Sequence, residues 1–439
     1  MHADIDKTPH KTSDVFGVKS RLIESYIERE AVDENFKKAI TDGNEVIVYG
    51  SSKQGKTSLI LKHLAEPDYV KVECSPQTKP VDIYKSVLRQ LKITFIESET
   101  SEKSEDTSGK IGGGGKVKVP LVGELGANTE LLEKTGTKTS TTTRYIEYNL
   151  ELAQDFSEIL KSNKVEKYIV LENFHYLEID TQETLAFDLR TFQDNHIIFI
   201  ILGIWREANR LVQFNGDLLD RISEVPVEPW EESDFEKVIT KGSALLNVDF
   251  SSVKNKLINA SFDSIGVVQE ICRKCCEKAG ITETSEETLL ISEAHLDEAL
   301  SEKASDYGVR HTRNFESFVD ITRRRSNQSG KPSLAFPYYF IHLLLTHDFS
   351  DIEKGLKRST LLEEIRRIHH RPDDVRSGDL GAFLHNITQH QINKKIQPPF
   401  VDYDRGGKVV KIIDSSLYFF LKHCNRDEIL ADIPSPIDV

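Results

Sequence analysis

The sequence lacks the features that would place the chain in a membrane or outside the cell. Its longest apolar runs, IIFIILGIW from Ile197 and AFPYYFIHLLL from Ala335, are much shorter than the roughly 20 residues of a membrane helix. The first residues, MHADIDKTPHKTSDVFG, contain no apolar stretch of the kind found in secretory signals. We therefore expect a cytoplasmic protein that has no membrane partner.

Cysteine is also scarce, with five in 439 residues. An odd number in so long a chain does not predict a disulfide framework and is typical of a reducing compartment. Cys272, Cys275 and Cys276 lie close together, but a zinc site normally needs four Cys or His ligands and no second pair has suitable spacing. We interpret the three thiols as small residues on a helix that partly faces a core.

Length and composition indicate a soluble globular protein with two or three domains. The chain is longer than the size at which one hydrophobic core keeps growing. Its net charge of −14 argues against polyanion binding by the whole surface, although a local basic patch is compatible with it. We find no internal repeat at the periods of solenoid proteins.

Strand and helix patterns alternate over the first half of the chain. Short apolar runs occur in EVIVY from Glu45, in YVKVECS, in KYIVLENFHYL and in HIIFIILGIW, with helical periodicity between them. Continuous apolar runs of this length are typical of strands in a parallel sheet that is covered on both faces. The pattern predicts a three-layer α/β domain with a parallel sheet.

Changes in composition and periodicity divide the chain into five predicted parts. These are a flexible tail (1–19), an α/β core (20–230), a helical lid (231–307), a helical linker (308–350) and a winged-helix-like domain (351–439).

The predicted core contains an insert at 97–143 that is rich in Ser, Thr, Gly and Glu. Such a composition cannot bury enough apolar area to order itself, so we expect a flexible segment. Its middle part, KVKVPLVGEL, alternates enough to allow a hairpin.

The segment GSSKQGKT satisfies the phosphate-loop pattern G-x-x-x-x-G-K-[ST] in full. Glycines allow backbone angles that turn successive N–H groups inward, which makes an anion-binding nest at the start of a helix. Lys56 is expected to reach the β- and γ-phosphates, and the Thr57 hydroxyl to bind Mg²⁺. The residues predicted to bind the nucleotide are Gly50, Ser51, Ser52, Lys53, Gln54, Gly55, Lys56, Thr57 and Ser58.

A second polar site is predicted where KYIVLENFHYL ends its apolar run. Phosphoryl-transfer enzymes need an acidic residue at the end of a buried strand to hold Mg²⁺, and Glu172 is the candidate. Asn173 follows it; an amide cannot act as a base but can orient a water molecule. We interpret His175, two residues further on, as a partly buried structural residue.

The order of these elements resembles that of AAA+ ATPases: a helix with YIERE, the loop GSSKQGKT, the strands YIVLEN and IIFIILGIW, then NGDLLDRISEVPVEPW and a helical lid. Within that class the chain is most similar to the branch that holds origin-recognition ATPases, transposon target-selection ATPases and STAND signalling ATPases. The resemblance spans residues 20 to 305. It implies ATP and Mg²⁺ as cofactors and a homo-oligomer as the working form.

The resemblance also assigns further residues. Tyr26, Ile27 and Arg29 in YIERE would lie near the adenine. Arg221 in LLDRISEV has the place of the arginine finger that such ATPases offer to a neighbouring subunit, where it would stabilise charge developing on the γ-phosphate. An ordinary surface ion pair explains this arginine about equally well. Lys56, Glu172, Asn173 and Arg221 are thus the predicted catalytic residues.

Three departures from the family pattern argue against fast hydrolysis. Asn173 stands where such ATPases commonly carry a second acid. The strand IIFIILG ends in Gly203 and Ile204 instead of the usual polar γ-phosphate sensor, with Arg206 as the nearest polar substitute. The lid helix in DSIGVVQE begins without an arginine. Each departure leaves nucleotide binding intact.

The last part of the chain has the outline of a winged helix, in which two short strands meet at Arg405-Gly406-Gly407. Winged helices bind DNA through a recognition helix, but many contact only proteins. Between Glu353 and Cys424 there are 13 Lys or Arg and 9 Asp or Glu. The excess is modest and discontinuous, so a solvated mixed-charge face explains it as well as a DNA-binding surface does.

Three hypotheses follow. The first is an AAA+ or STAND-like ATPase whose nucleotide state controls oligomerisation and coupling to a protein partner, with hydrolysis of ATP to ADP and phosphate. The second is a DNA-dependent ATPase that loads or targets another machine through its winged helix. The third is an adaptor that binds nucleotide without hydrolysing it.

Overall fold

The structure is a computed structural model, and it describes residues 9–97, 115–120, 145–319, 333–433 and 435. Most of the predicted insert, at 98–114 and 121–143, lies outside the described residues.

A five-stranded parallel sheet forms the centre of the first half of the chain, with the strand order β2-β6-β7-β1-β8. The strands are β1 Glu45–Tyr49, β2 Tyr69–Glu73, β3 Ile96–Glu97, β4 Lys116–Pro120, β5 Tyr145–Asn149, β6 Tyr168–Glu172, β7 Phe199–Gly203, β8 Ile222–Pro226, β9 Val248–Asp249, β10 Leu289–Leu290, β11 Leu356–Lys357, β12 Val401–Asp404 and β13 Val409–Ile412.

Helices make up most of the remaining structure. They are α1 Thr12–Val15, α2 Glu30–Thr41, α3 Lys56–His63, α4 Pro80–Gln90, α5 Ala153–Ser162, α6 Ile179–Asp194, α7 Glu232–Leu246, α8 Lys254–Ala260, α9 Ile265–Lys278, α10 Glu293–Val319, α11 Phe336–Thr346, α12 Phe349–Lys354, α13 Arg358–Ile368, α14 Ser377–His385, α15 Ile387–Asn393, α16 Ser415–His423 and α17 Arg426–Asp432, with short 3₁₀ turns at Glu66–Asp68, Phe174–Tyr176, Gly216–Leu218 and Pro372–Asp374.

Helices cover both faces of the central sheet. Phe36 of α2 and Leu59 of α3 pack on one face, beside Val48 and other apolar strand residues. Helices α4, α5 and α6 pack on the other face, where Tyr84 and Phe156 stack with ring centroids 4.5 Å apart. The apolar strand runs of the sequence are explained by this double coverage. The predicted three-layer α/β class is confirmed.

The described part of the insert is a strand and not an isolated loop. Residues of KVKVP form β4, which pairs with β3 on one side and with β5 on the other. Val117 and Val119 are buried in the core, while Lys116 and Lys118 are exposed. KVKVP therefore has the alternation of a strand, and it pairs with β3 and β5, which lie at the two ends of the insert. The second half of the predicted hairpin, from 121 onward, lies outside the described residues.

The segment before residue 20 differs from the predicted flexible tail. Val15 and Phe16 are fully buried in the lid, and the Phe16 ring fills the space where Gly242 of α7 has no side chain. Residues 12–17 thus form a short helix and a packed segment where the sequence predicts a tail, because a four-residue helix has too short a periodicity to be recognised in a sequence.

The lid and the C-terminal region share one hydrophobic core. Helix α10 runs without a break across the predicted boundary at residue 307 and packs on α16, where Tyr307 contacts Phe419 and His311 stacks on Phe420. Cys272, Cys275 and Cys276 lie buried in this core as free thiols. In the described part of the chain, no three His, Cys, Asp or Glu side chains form a metal-binding cluster.

The C-terminal region has a small antiparallel sheet and a group of helices, which is consistent with the predicted winged helix. Strand β13 pairs antiparallel with β11 and β12, and the helices α13, α14 and α15 lie between β11 and β12 in the chain. The turn at 405–408, the predicted wing, joins β12 to β13. Helix α11 packs against α13 and α17. Among the helices described throughout the chain, none is long and apolar enough to cross a membrane.

Glu45, at the start of β1, is a carboxyl group buried inside the central sheet. It has no exposed surface, and its Oε2 accepts a hydrogen bond of 2.6 Å from the Phe199 N–H. Burial raises the pKa of Glu45 well above its ordinary value. At pH values between the ordinary pKa of a glutamate and the raised pKa of Glu45, the folded chain therefore keeps a proton that the unfolded chain releases.

We predict that Glu45→Gln stabilises the protein at pH 7 but not at pH 4. The unfolded chain loses the Glu45 proton near the ordinary pKa of 4.5, so this group makes wild-type stability fall as the pH rises above that value. Glutamine keeps an acceptor for Phe199 and cannot ionise. Urea unfolding at several pH values measures the difference. Glu34→Gln on the exposed face of α2 is the control, and a Glu45→Gln effect that does not vary with pH would contradict the prediction.

Candidate nucleotide-binding site

The predicted phosphate loop connects β1 to α3, as the sequence pattern requires. Gly55 has a φ of 88°, a left-handed conformation in which a side chain would be strained. Lys53 also has a positive φ of 60°. Helix α3 begins directly afterwards at Lys56, so the loop ends at a helix amino terminus, where N–H groups and the helix dipole favour an anion.

Lys56 is folded back over this loop. Its ammonium group donates to the carbonyl oxygens of Gly50 (2.9 Å) and Ser51 (2.6 Å). Burial lowers the pKa of Lys56 to about 8. The loop carbonyls thus hold the ammonium group that a triphosphate would attract.

The two predicted magnesium ligands lie side by side. The Thr57 hydroxyl donates to Glu172 Oε1 over 3.0 Å, while Glu172 Oε2 accepts from the Lys71 ammonium over 3.2 Å. A hydroxyl and a carboxylate oxygen are the ligands that Mg²⁺ prefers, with phosphate oxygens and water completing the octahedron. These residues therefore fit the ion that the sequence predicts, and the Lys71 ammonium group partly neutralises the Glu172 carboxylate.

Asn173 and His175 follow Glu172 at the edge of the same cavity. Asn173 has a left-handed φ of 60° and starts the 3₁₀ turn Phe174–Tyr176, which turns the chain sharply after β6. Both Asn173 and His175 line the cavity together with Glu172. His175 is 2 % exposed, and burial lowers its pKa well below the ordinary value, aided by the charges of Lys56 and Arg210.

The end of β7 supplies no polar side chain, for a packing reason. A Cβ atom added at Gly203 would lie 1.6 Å from the ring of Trp205, which is fully buried and stacks on Tyr49. Ile204 lines the cavity with an apolar side chain. Arg206, expected as a substitute, turns to the other side of the loop, where its Nη1 donates to the Tyr418 hydroxyl over 3.3 Å.

Apolar and aromatic side chains form the remainder of the cavity. The Arg29 guanidinium lies 3.7 Å from the centre of the Trp230 ring, and Trp230 also lies beside Gly55. The three residues of YIERE that we expected near the adenine all line the cavity. Its other walls come from the amino-terminal segment and from the lid, and include Gly17, Val18, Ile23, Val238, Ile265 and Gln269.

The outer side of the phosphate loop is held by the strand–lid connection. Glu228, just after β8, accepts from the Ser51 N–H over 2.5 Å and from the Gln54 amide over 3.1 Å. The Gln54 side-chain oxygen accepts in turn from the Ile265 N–H at the start of α9, over 3.3 Å. The loop is thereby tied to the lid.

The C-terminal domain binds the same loop. The Ser52 N–H donates to the Ile413 carbonyl over 2.8 Å, the Ser415 hydroxyl donates to the Ser52 carbonyl over 3.0 Å, and the Ser52 hydroxyl donates to Asp414 over 3.2 Å. Asp414 is fully buried and pairs with Arg310 of α10 at 2.6 Å. Ser52 thus connects the nucleotide site directly to the amino terminus of α16.

Arg221 lies at the opposite end of the sheet. Its carbonyl oxygen accepts from the N–H of Glu45, the first residue of β1, whereas the phosphate loop follows the last residue of that strand. About 15 Å of strand separates the two ends, and the Arg221 guanidinium is paired with Asp194 at 2.5 Å. In one copy of the chain Arg221 is therefore remote from the phosphate loop.

Comparison with known proteins gives a fold. No protein-family model and no curated protein matches the sequence. A solved Walker-type ATPase of Pyrococcus abyssi is similar over 93 % of this chain and 99 % of its own, with a TM-score of 0.52 and 14 % identity. This chain has the fold of a Walker-type ATPase. The Aeropyrum pernix ORC2 protein, in ADPNP–ADP complexes, is similar over 97 % of this chain and 99 % of its own at 13 % identity, but its TM-score of 0.46 is too low to support more.

Sequence reasoning missed the residues that hold the loop from outside. Glu228 and Ile413–Ser415 contact it from positions more than 170 residues away in the chain. No motif marks them, because their role depends on tertiary packing. No motif assigns a role to Trp230. It is one of two tryptophans in the chain, and this scarcity is the signal in the sequence that could have drawn attention to it.

We predict that Lys56→Ala abolishes ATP binding, with an affinity loss of at least about 100-fold, because two charge-assisted hydrogen bonds to phosphate oxygens disappear. Isothermal titration calorimetry with Mg²⁺ and ATP measures the loss. Lys62→Ala is the matched control, since Lys62 lies on the same helix and pairs with Glu28 on the surface. Unchanged ATP affinity in Lys56→Ala would refute the assignment of the site.

Proposed function

We propose that this protein is an ATP-binding switch of the AAA+ or STAND type, in which the nucleotide state controls the position of the C-terminal domain, assembly into a homo-oligomer and coupling to a protein partner. The observation that carries the proposal is that the two sides of the phosphate loop contact different parts of the protein. Its inner side forms the nucleotide cavity, and Ser52 on its outer side is bonded to Ile413 and Ser415.

The route from the nucleotide to the C-terminal domain begins at Lys56. A bound triphosphate attracts the ammonium group away from the carbonyl oxygens of Gly50 and Ser51, which then lose their donor. Ser52 is the next residue in the loop. Because each hydrogen bond contributes about 0.5–1.5 kcal/mol, losing two of them at Ser52 would shift the docking equilibrium of the C-terminal domain by roughly 5- to 150-fold.

The residues at the site favour slow hydrolysis. Mg²⁺, held by Thr57 and Glu172, would neutralise charge on the β- and γ-phosphates. Lys56 orients the phosphates, and Asn173 orients water through its amide without removing a proton. The end of β7 adds no donor, since Gly203 is required by the Trp205 ring. A switch that remains in its ATP state for a long time needs no faster chemistry.

The homo-oligomer is proposed from the position of Arg221. Its distance from the phosphate loop of its own chain leaves a neighbouring subunit as the only site where it could contact a γ-phosphate. Asp194 holds the guanidinium at the surface with a third of its side chain exposed. Assembly would exchange this ion pair, worth about 0–1 kcal/mol, for a phosphate contact.

DNA binding through the winged helix is the weaker alternative. The N–H groups of Arg405 and Gly406 in the wing donate to Glu207 of the ATPase core (3.0 and 3.3 Å), and Arg210 pairs with Asp402 of β12 at 2.6 Å. The wing faces the core, so a DNA complex would require the domain to undock. The non-hydrolysing adaptor is distinguished from the switch by phosphate release at high protein concentration.

We predict that a non-hydrolysable ATP analogue with Mg²⁺ increases the sedimentation coefficient above that of the ADP-bound and nucleotide-free protein. The analogue releases the C-terminal domain and brings Arg221 of one copy to the next. Analytical ultracentrifugation across protein concentrations measures the change, and Lys56→Ala should remain at the nucleotide-free value. Identical sedimentation in all three nucleotide states would contradict the switch.

We also predict that Arg221→Ala lowers ATP turnover at least about 10-fold while leaving ATP affinity unchanged. Mixing Arg221→Ala with Lys56→Ala should restore part of the turnover, because the second variant supplies the arginine to an intact site on the first. A phosphate-release assay on the mixture measures this rescue. Arg190→Ala, which breaks another surface ion pair on α6, is the control; equal turnover in wild type and Arg221→Ala would mean that Arg221 is an ordinary surface residue.

A further inference from the structure

His175 is a buried histidine without a hydrogen-bond partner. Only 2 % of its surface is exposed, and among the described residues neither ring nitrogen has a partner. A neutral imidazole carries one N–H donor and one acceptor, and leaving such groups unpaired in the interior costs about 1–3 kcal/mol each. A residue that only filled space here would be better replaced by an apolar one.

The position of the His175 ring indicates which group its N–H could bind. His175 lines the nucleotide cavity with Lys56, Thr57 and Glu172, the residues expected around the terminal phosphate and Mg²⁺. Across this cavity, the end of β7 offers only Gly203 and Ile204. The end of β7 therefore places no polar side chain in the cavity, although the family pattern predicts a γ-phosphate sensor there.

His175 also borders a second, smaller cavity on the side of the C-terminal domain. That cavity is lined by Arg210 and Asp402, the ion pair between the ATPase core and β12, and by Thr388 of α15. Thr388 also bonds to Asp402. One imidazole ring thus separates the nucleotide cavity from the interface that holds the winged helix.

We propose that His175 is the γ-phosphate sensor of this protein: its ring N–H binds the terminal phosphate of ATP, and its other nitrogen faces the Arg210–Asp402 interface. This inference rests on the proposed function and assigns a residue to the recognition step. ATP satisfies the donor and fixes the ring, whereas ADP leaves it without a partner. The protein distinguishes the two nucleotides through His175, in place of a polar residue at the end of β7.

The test is the ratio of affinities for a non-hydrolysable ATP analogue and for ADP, both with Mg²⁺, measured by calorimetry. His175→Phe keeps an aromatic ring that can pack against Tyr176, whose ring centre lies 4.1 Å from that of His175 with the planes tilted by 47°, but it has no N–H. We expect its affinity for the analogue to fall about 10- to 100-fold with ADP affinity unchanged. His175→Gln, which retains a donor, should recover part of the preference.

Tyr176→Phe is the control, because Tyr176 is adjacent in the chain and outside the cavity lining; both of its affinities should equal those of wild type. Thermal unfolding without nucleotide checks folding, and His175→Phe should be at least as stable as wild type. If His175→Phe keeps the wild-type ratio, or lowers both affinities equally, the inference is wrong.

The inference and the proposed function fail in different ways. Lys56→Ala that still binds both nucleotides overturns the nucleotide switch altogether. Lys56→Ala that loses both nucleotides, combined with an unchanged ratio in His175→Phe, leaves the switch intact and removes only the sensor role of His175. A lowered ratio in His175→Phe supports both.

Discussion

The phosphate loop is the element on which the rest of the structure depends, because it must expose backbone N–H groups to an anion and still be held rigidly. Its own sequence supplies little rigidity: Gly50 and Gly55 have no side chains, and Lys53 takes a left-handed conformation. Rigidity comes from outside, through Glu228 at Ser51, through Ile265 at Gln54 and through Ile413 at Ser52. The loop is therefore a junction of the core, the lid and the C-terminal domain, and a ligand that reshapes it acts on all three.

Packing accounts for the lack of a polar side chain at the end of β7, the feature behind the slow hydrolysis that we propose. The Trp205 ring occupies the space beside Gly203, which excludes any side chain there. The same ring stacks on Tyr49, the last residue of β1. A polar sensor at that position would require the core to be rebuilt. A histidine one strand away is compatible with the same core, since it enters the cavity from the turn after β6.

The sequence was sufficient for features that are local in the chain. The strand, glycine turn and helix around Lys56 follow from residue order, and the acid at Glu172 follows from the end of an apolar run. It was insufficient where distant segments meet. Burial of Phe16 depends on the absence of a side chain at Gly242, 226 positions later. The contact of Ser52 with Ile413 depends on how the C-terminal domain packs on α10 and on the core. Neither has a signature in composition or periodicity.

The distribution of apolar area decides which parts can move. The lid, α10 and the winged helix share one continuous core, and separating them would expose many buried aromatic side chains at about 25 cal/mol for each Å². The ATPase core contacts the C-terminal domain mainly through polar groups, at Ser52, Glu207 and Arg210. Such contacts exchange with water at a small net cost. The movement that we propose for nucleotide binding therefore separates the two at this polar boundary, since the apolar core shared by the lid and the C-terminal domain holds those two together.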